Sequence, residues 1–176
     1  LYDAFVTQYD ADDPQSLRYL NILCVRLVFC LYAEDAGIFG KRDMFHDFLA
    51  HYQTEDMRMA LVQLFEVLNT PADKRSKYLN PSLAAFPYTN GGLFAEDIDI
   101  PQITDELRDT LLQHASLDFD WSEISPTIFG GVFESTLNPE TRRSGGMHYT
   151  SIENIHKVID PLFYNDLRTA FEDCLE

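Results

Sequence analysis

The most apolar run of the chain, Leu20 to Ala33, carries Arg26 in its middle. Over Gln15 to Ala36 the residues Leu20, Leu23, Cys24, Leu27 and Leu31 mark one face of a helix. Ile22, Val25 and Phe29 make another face apolar as well, and a helix apolar all round is central in a bundle. Gly37 is placed to stop it. The apolar run is shorter than the roughly 20 residues a membrane span needs, so it predicts a buried helix and no membrane. Arg26 must then reach solvent along its stem or find a carboxylate, with Glu34 and Asp35 as candidates. Asp43 is expected to cap a second helix through about Tyr52, with Met44, Phe45, Phe48 and Leu49 inward. A third helix is expected from about Glu55 to Leu68, on Met57, Leu61, Leu64, Phe65 and Leu68.

From Asn69 to Pro101 the pattern changes. Pro71, Pro81, Pro87 and Pro101 break helices, and Asn90-Gly91-Gly92 is a turn signal flanked by Phe86-Pro87-Tyr88 and Leu93-Phe94. The stretch reads either as an aromatic clasp across the helices or as one wall of a ligand or nucleic-acid site. Helix returns over Ile103 to His114, and Phe119-Asp120-Trp121 forms an aromatic junction. Ser125 or Ser122 caps a further helix through Leu137, with Ile128, Phe129, Val132 and Phe133 inward. Beyond it, Ile152 to Leu167 is amphipathic, and Pro161 either kinks that stretch or starts a new helix capped by Asp160. The expected fold is all-α: a multi-helix bundle with a long aromatic, Pro- and Gly-rich connection, and a short hairpin near 86–94.

Charge narrows the function. Thirteen basic against 29 acidic residues leave a net charge of −16. That field repels phosphates, and no basic run offers a nucleic-acid footprint, so a groove for a strand is expected elsewhere. Cys24, Cys30 and Cys174 lack metal-ligand spacing and are odd in number, which points to a reducing, cytoplasmic compartment. The chain begins at Leu1 with no signal peptide and reads as an excerpt. Glu34-Asp35 lacks a neighbouring nucleophile or metal partner and is a weak acid/base candidate.

The chemistry concentrates in Arg142-Arg143-Ser144-Gly145-Gly146-Met147-His148-Tyr149-Thr150. The glycine pair allows close approach to a ligand, the aromatic supplies a flat face, and Thr150 opens a helix. Unpaired N–H groups at a helix start suit the carboxylate end of a small cofactor. The same residues also read as a plain capping box, Thr150-Ser151-Ile152-Glu153.

Three stretches carry a resemblance. They are Arg26 to Phe39; Phe86-Pro87-Tyr88-Thr89-Asn90-Gly91-Gly92-Leu93-Phe94; and Ile124-Ser125-Pro126-Thr127-Ile128-Phe129-Gly130 through Phe133-Glu134, Leu137-Asn138-Pro139-Glu140 and Arg142-Arg143 to Gly146-Met147-His148-Tyr149-Thr150. Together, and in this order, the chain resembles large fused DNA adenine methyltransferases, the MmeI-like restriction–modification enzymes and the methylases of phage defence. The resemblance implies a helical spacer domain over 1–118, a connector over 119–150 ending in the Gly-x-His-Tyr-Thr loop, and the leading helix of a truncated methyltransferase domain over 151–176. It implies S-adenosyl-L-methionine as the cofactor of the intact parent, with Tyr149 beside it, Thr150 bonding its methionine end, and Gly146 and His148 shaping the loop. Ser151 stands where the family commonly has proline, which removes a rigid first helical residue.

The glycine-rich turn that holds the rest of such a cofactor is absent, since Gly130-Gly131 sits in a helical pattern. The catalytic Asn/Asp-Pro-Pro-aromatic tetrapeptide is absent too, because Asn138-Pro139-Glu140-Thr141 shares only its first two residues. The implied partners are DNA, through the missing parts of the parent, and the rest of the methyltransferase domain. The isolated chain is expected to be inactive. A reading from another class is an acidic helical interaction module that binds no cofactor.

Overall fold

The computed structural model describes residues 1–89, 92–126, 128–130, 157, 159–164, 168 and 171. The chain divides into two compact units, Leu1–Ile124 and Ser125–Glu176. The first contains α1 (Tyr2–Val6), α2 (Pro14–Asp35), α3 (Met44–Ala50), α4 (Thr54–Asn69), α5 (Pro81–Ala84) and α6 (Asp105–Asp109). Tight 3-10 turns lie at Ala72–Lys74 and Trp121–Glu123, and α6 continues in wider π-type turns over Thr110–Leu117. Among the described residues there is no strand, and the fold is all-α.

Asp13 and Pro14 set the start of α2. The Asp13 carboxylate accepts the N–H groups of Gln15 at 3.1 Å and Ser16 at 3.0 Å, while Pro14 takes the first helical position, where it needs no N–H partner. At the other end Gly37 adopts φ +72°. Ile38 N–H then donates to Ala33 O at 2.8 Å and Gly37 N–H to Glu34 O at 3.2 Å, the paired closure that a left-handed residue permits. At 22 residues α2 is longer than its apolar run. By length and composition alone it is apolar enough to cross a bilayer. Its surroundings make it an interior strut instead. Leu20, Leu23, Leu27, Cys30, Leu31 and Ala33 are fully buried, and α1, α3 and the Trp121 turn pack on it.

The long connection closes over this strut as an aromatic clasp. Phe86 meets Phe39 and Phe48 edge-on, with ring centroids 5.2 and 5.5 Å apart. Phe94 meets Phe29 at 5.7 Å and Phe65 of α4 at 5.3 Å. Arg26 holds the clasp down. It does not turn to Glu34 or Asp35; its Nε donates to Leu93 O at 2.9 Å and an Nη to Glu96 O at 2.6 Å. The guanidinium lies 5.4 and 5.6 Å from the ring centroids of Phe65 and Phe94. Arg18, about two turns before Arg26 on α2, forms a fork–fork pair with the Glu96 carboxylate.

The hairpin expected near 86–94 does not form among the described residues. The backbone of its first arm is already engaged, because Thr89 N–H donates to Leu68 O at 2.8 Å and Phe86 O accepts Arg75 at 2.7 Å. Asn90 and Gly91 lie outside the described residues. In the second unit Ser125, not Ser122, opens a helix: its Oγ accepts Ile128 N–H at 3.3 Å, with Pro126 first in the helix. Ile128, expected inward, is exposed, and the run on to Leu137 lies outside the described residues. Around Pro161, Asp160–Tyr164 forms a wide π-type turn.

Replacing Arg26 by methionine keeps the apolar stem and leaves the two carbonyls unpaired. We expect Arg26→Met to lower unfolding free energy by about 2–4 kcal/mol in urea titrations. A loss below about 0.5 kcal/mol would contradict the role assigned to the guanidinium.

Candidate functional site

Arg26 and Glu34 are the two buried charged side chains among the described residues, and both bind main chain. Glu34 lies at the C-terminal end of α2, where the helix dipole disfavours a carboxylate. Its Oε2 accepts Phe45 N–H and His46 N–H, each at 2.9 Å, and its Oε1 accepts the Ser116 hydroxyl at 3.1 Å. Phe45 and His46 occupy the first turn of α3, so Glu34 performs the capping expected of Asp43. Asp43 itself adopts φ +57° and makes no side-chain cap bond; a left-handed backbone aims its carboxylate away from the helix start. Burial pushes the Glu34 carboxyl up to about 7, Asp35 adds to the rise, and the three donors oppose it.

Asp35 is a second anchor. Its Oδ2 accepts Trp121 N–H at 2.8 Å, and Arg42 reaches both Asp35 and Asp120, at 4.0 and 3.3 Å. Trp121 Nε1 donates to Ala115 O at 2.7 Å, and its ring meets Phe119 edge-on at 4.9 Å. The pair Glu34-Asp35 therefore ties α3, the π-type turns and the aromatic junction to the end of α2. Apart from the Ser116 hydroxyl that donates to Glu34, neither carboxylate is bonded to a nucleophilic side chain. Cys24 and Cys30 are free thiols, and burial pushes Cys24 up to about 11 and Cys30 higher than usual, so neither is a thiolate at neutral pH. Among the described residues no group of three His, Cys, Asp or Glu is arranged to hold a metal ion.

Arg75 staples the start of the long connection. It donates to Thr70 O at 2.9 Å, Val67 O at 2.8 Å, Phe86 O at 2.7 Å and Ala84 O at 3.4 Å. These bonds join the end of α4 to the C-terminal end of α5 and leave a cleft of about 400 Å³ beside it, lined by Gln63, Thr70, Lys74, Tyr78 and Asn80. Sequence reasoning passed over Arg75. The signal was an arginine among three prolines and an open helix end, where carbonyls lack partners.

Gly146, His148, Tyr149 and Thr150, the residues expected at the cofactor, all lie outside the described residues, as does the loop leading to them.

What the described residues build is a helical scaffold: a long central strut, a tied-down connection and no catalytic constellation among them. The comparisons agree. Residues 18–94 match the family described as "MmeI, helicase spacer domain". Over 90% of its length the chain is 38% identical to DNA methyltransferase A of Bacillus subtilis, of which it covers 18%. A solved structure of the Type IIL restriction-modification enzyme MmeI in complex with DNA is similar over 98% of the chain, at 41% identity and a TM-score of 0.61, and the chain covers 22% of it. The chain is MmeI-like, and its residues 18–94 are similar to the helicase spacer domain of that enzyme. It spans about a fifth of the length of these relatives.

A carboxyl raised in the folded state and near 4.3 when unfolded binds its proton more readily in the native protein. Its contribution is full at acid pH and is lost as pH rises through about 7. Relative to Glu34→Gln, the natural protein should therefore lose on the order of 3 kcal/mol between pH 5 and pH 8 in urea titrations. Parallel pH profiles for the two proteins would show that Glu34 stays ionised throughout.

Proposed function

We propose that the chain is the helical spacer and methyltransferase-domain approach of a site-specific DNA adenine N6-methyltransferase of the restriction–modification or phage-defence kind. The observation that carries this reading is the similarity to MmeI over 98% of the chain at 41% identity. The spacer match over 18–94 and the similarity to DNA methyltransferase A support it. The working compartment is cytoplasmic, which suits two free, buried or half-buried thiols.

Gly146, His148, Tyr149 and Thr150 contribute the first contacts to S-adenosyl-L-methionine. The donor set suits that molecule's methionine end. The Thr150 hydroxyl, with the helix start that the sequence predicts there, would offer O–H and N–H donors to a carboxylate, and the Tyr149 ring a π face to a sulfonium. The cofactor supplies an electrophilic methyl group. Adenine N6 takes it with loss of one proton, and S-adenosylhomocysteine leaves. The target base must be extruded from the duplex to reach it, and the groups that hold that base belong to other parts of the parent. The spacer's share is mechanical: it fixes the distance between the domains on either side.

In the full-length protein, Tyr149→Ala and Thr150→Val should each raise the KM for S-adenosyl-L-methionine about tenfold or more, one lost donor or ring face being worth roughly 1–2 kcal/mol. The readout is methyl transfer to duplex DNA, with N6-methyladenine identified by mass spectrometry. The isolated chain should show no transfer and no micromolar binding of the cofactor by calorimetry. Unchanged KM in both variants, or transfer to cytosine, would overturn the reading.

A further inference from the structure

The acidic balance of the chain hides where its positive charge is free. In the first unit, Arg18, Lys41, Arg42 and Arg58 pair with carboxylates, while Arg26 and Arg75 bind carbonyls and Arg108 reaches Ala50 O. Among the described residues of that unit, Lys74 and Lys77 alone engage neither. They stand three residues apart in Asp73-Lys74-Arg75-Ser76-Lys77-Tyr78, and both are exposed. Tyr78 is 84% exposed, the most open large apolar side chain described, with Lys77 Nζ 4.9 Å from its ring centroid.

The segment that presents them is built, not loose. Arg75 lies between the two lysines and turns inward to its carbonyls. Ser76 Oγ accepts Tyr78 N–H at 3.2 Å, Ser76 O accepts Leu79 N–H at 3.1 Å, and Asn80 caps α5 through Ser82 N–H at 3.0 Å. Two ammonium groups without an ion-pair partner and a phenol are thus carried by one stapled segment, of which Lys74 and Tyr78 line the 400 Å³ cleft together with Glu66. Holding like charges together on a fixed turn costs free energy that an anionic partner offsets. An evenly charged polyanion suits lysines at this spacing, and a phenol hydroxyl can donate to a phosphate oxygen.

We infer that Lys74, Lys77 and Tyr78 form a contact for the phosphodiester backbone of duplex DNA, so that the spacer itself touches the DNA it helps to span. This rests on the proposed role in a DNA enzyme. It is sequence-independent contact, since no group here is placed to read bases.

The test is binding of the full-length protein to a labelled duplex, by fluorescence anisotropy from 50 to 200 mM salt. Lys74→Gln/Lys77→Gln should flatten the slope of log K against log salt by about 1.8, two phosphate contacts at about 0.9 each. Affinity at 50 mM salt should fall about tenfold or more. Tyr78→Phe removes a neutral donor, so it should weaken binding a few-fold and leave the slope alone. Lys41→Gln, whose lysine already pairs with Asp47, controls for loss of any lysine and should leave the slope unchanged. Equal melting temperatures establish that the variants fold. An unchanged slope and affinity in the double variant overturns the inference, as does absence of duplex binding by the natural protein. So does loss of self-association in sedimentation with DNA affinity intact, which would assign the patch to an acidic face of a second copy. A protein that methylates no DNA yet shows the slope change keeps this contact and loses the proposed enzyme. Intact methylation with an unchanged slope does the reverse.

Discussion

A guanidinium buried in the middle of an apolar helix is the constraint around which the spacer is arranged. Arg26 is 2% exposed, and burial pulls its pKa down against the pull of Glu96 and Asp97. A cation in that position must find acceptors close by or the helix cannot be interior. The structure supplies them by folding the connection back, so that Leu93 and Glu96 turn their carbonyls onto it while Phe65 and Phe94 present their ring faces. The helix needs the connection to satisfy its charge. The connection, which has no ladder of its own, needs the charge to satisfy its carbonyls.

The same device recurs at other joints. Glu34 binds the open N–H groups of α3, Asp35 binds Trp121 N–H, and Arg75 binds carbonyls from α4 and α5. In each case a charged side chain is tied to main chain, and of the three Asp35 alone also faces an opposite charge, Arg42 at 4.0 Å. Ion pairs at such joints would hold side chains together without fixing the backbone's path. Charge bound to backbone fixes the path itself, which is what a segment that sets a distance between domains requires. The fold thus bears on the proposed function through stiffness.

The long helices were legible because their signals are local. An apolar run with Gly37 at its end defines α2, and Met57 to Leu68 repeat at helical spacing along α4. Asp13-Pro14 held a start signal that places the α2 boundary at Pro14, one residue nearer the N-terminus than the pattern does. What stayed illegible is non-local. Arg26 meets acceptors 67 and 70 residues away, and those acceptors are carbonyls, which every residue carries and no pattern marks. Asp43 has the right identity and position for a cap, yet its left-handed backbone disqualifies it and Glu34, 11 residues before the Phe45 amide it binds, replaces it. The reading of the chain as lacking a basic footprint holds for its composition. The exception at Lys74 and Lys77 emerges only when every other cation of the first unit is seen bound. The residues expected at the cofactor carry their case in the sequence alone.

Amide hydrogen exchange on the folded protein addresses the central claim, that the connection is an integral part of the spacer's core. Thr89 N–H, which donates to Leu68 O at 2.8 Å, reports on the connection directly. The account predicts that this amide exchanges only through global unfolding, with the same opening free energy as the amides of Leu27 and Leu31 in the interior of α2. Exchange of Thr89 within minutes while α2 stays protected would mean that the clasp opens by itself, and the account built on Arg26 would fail.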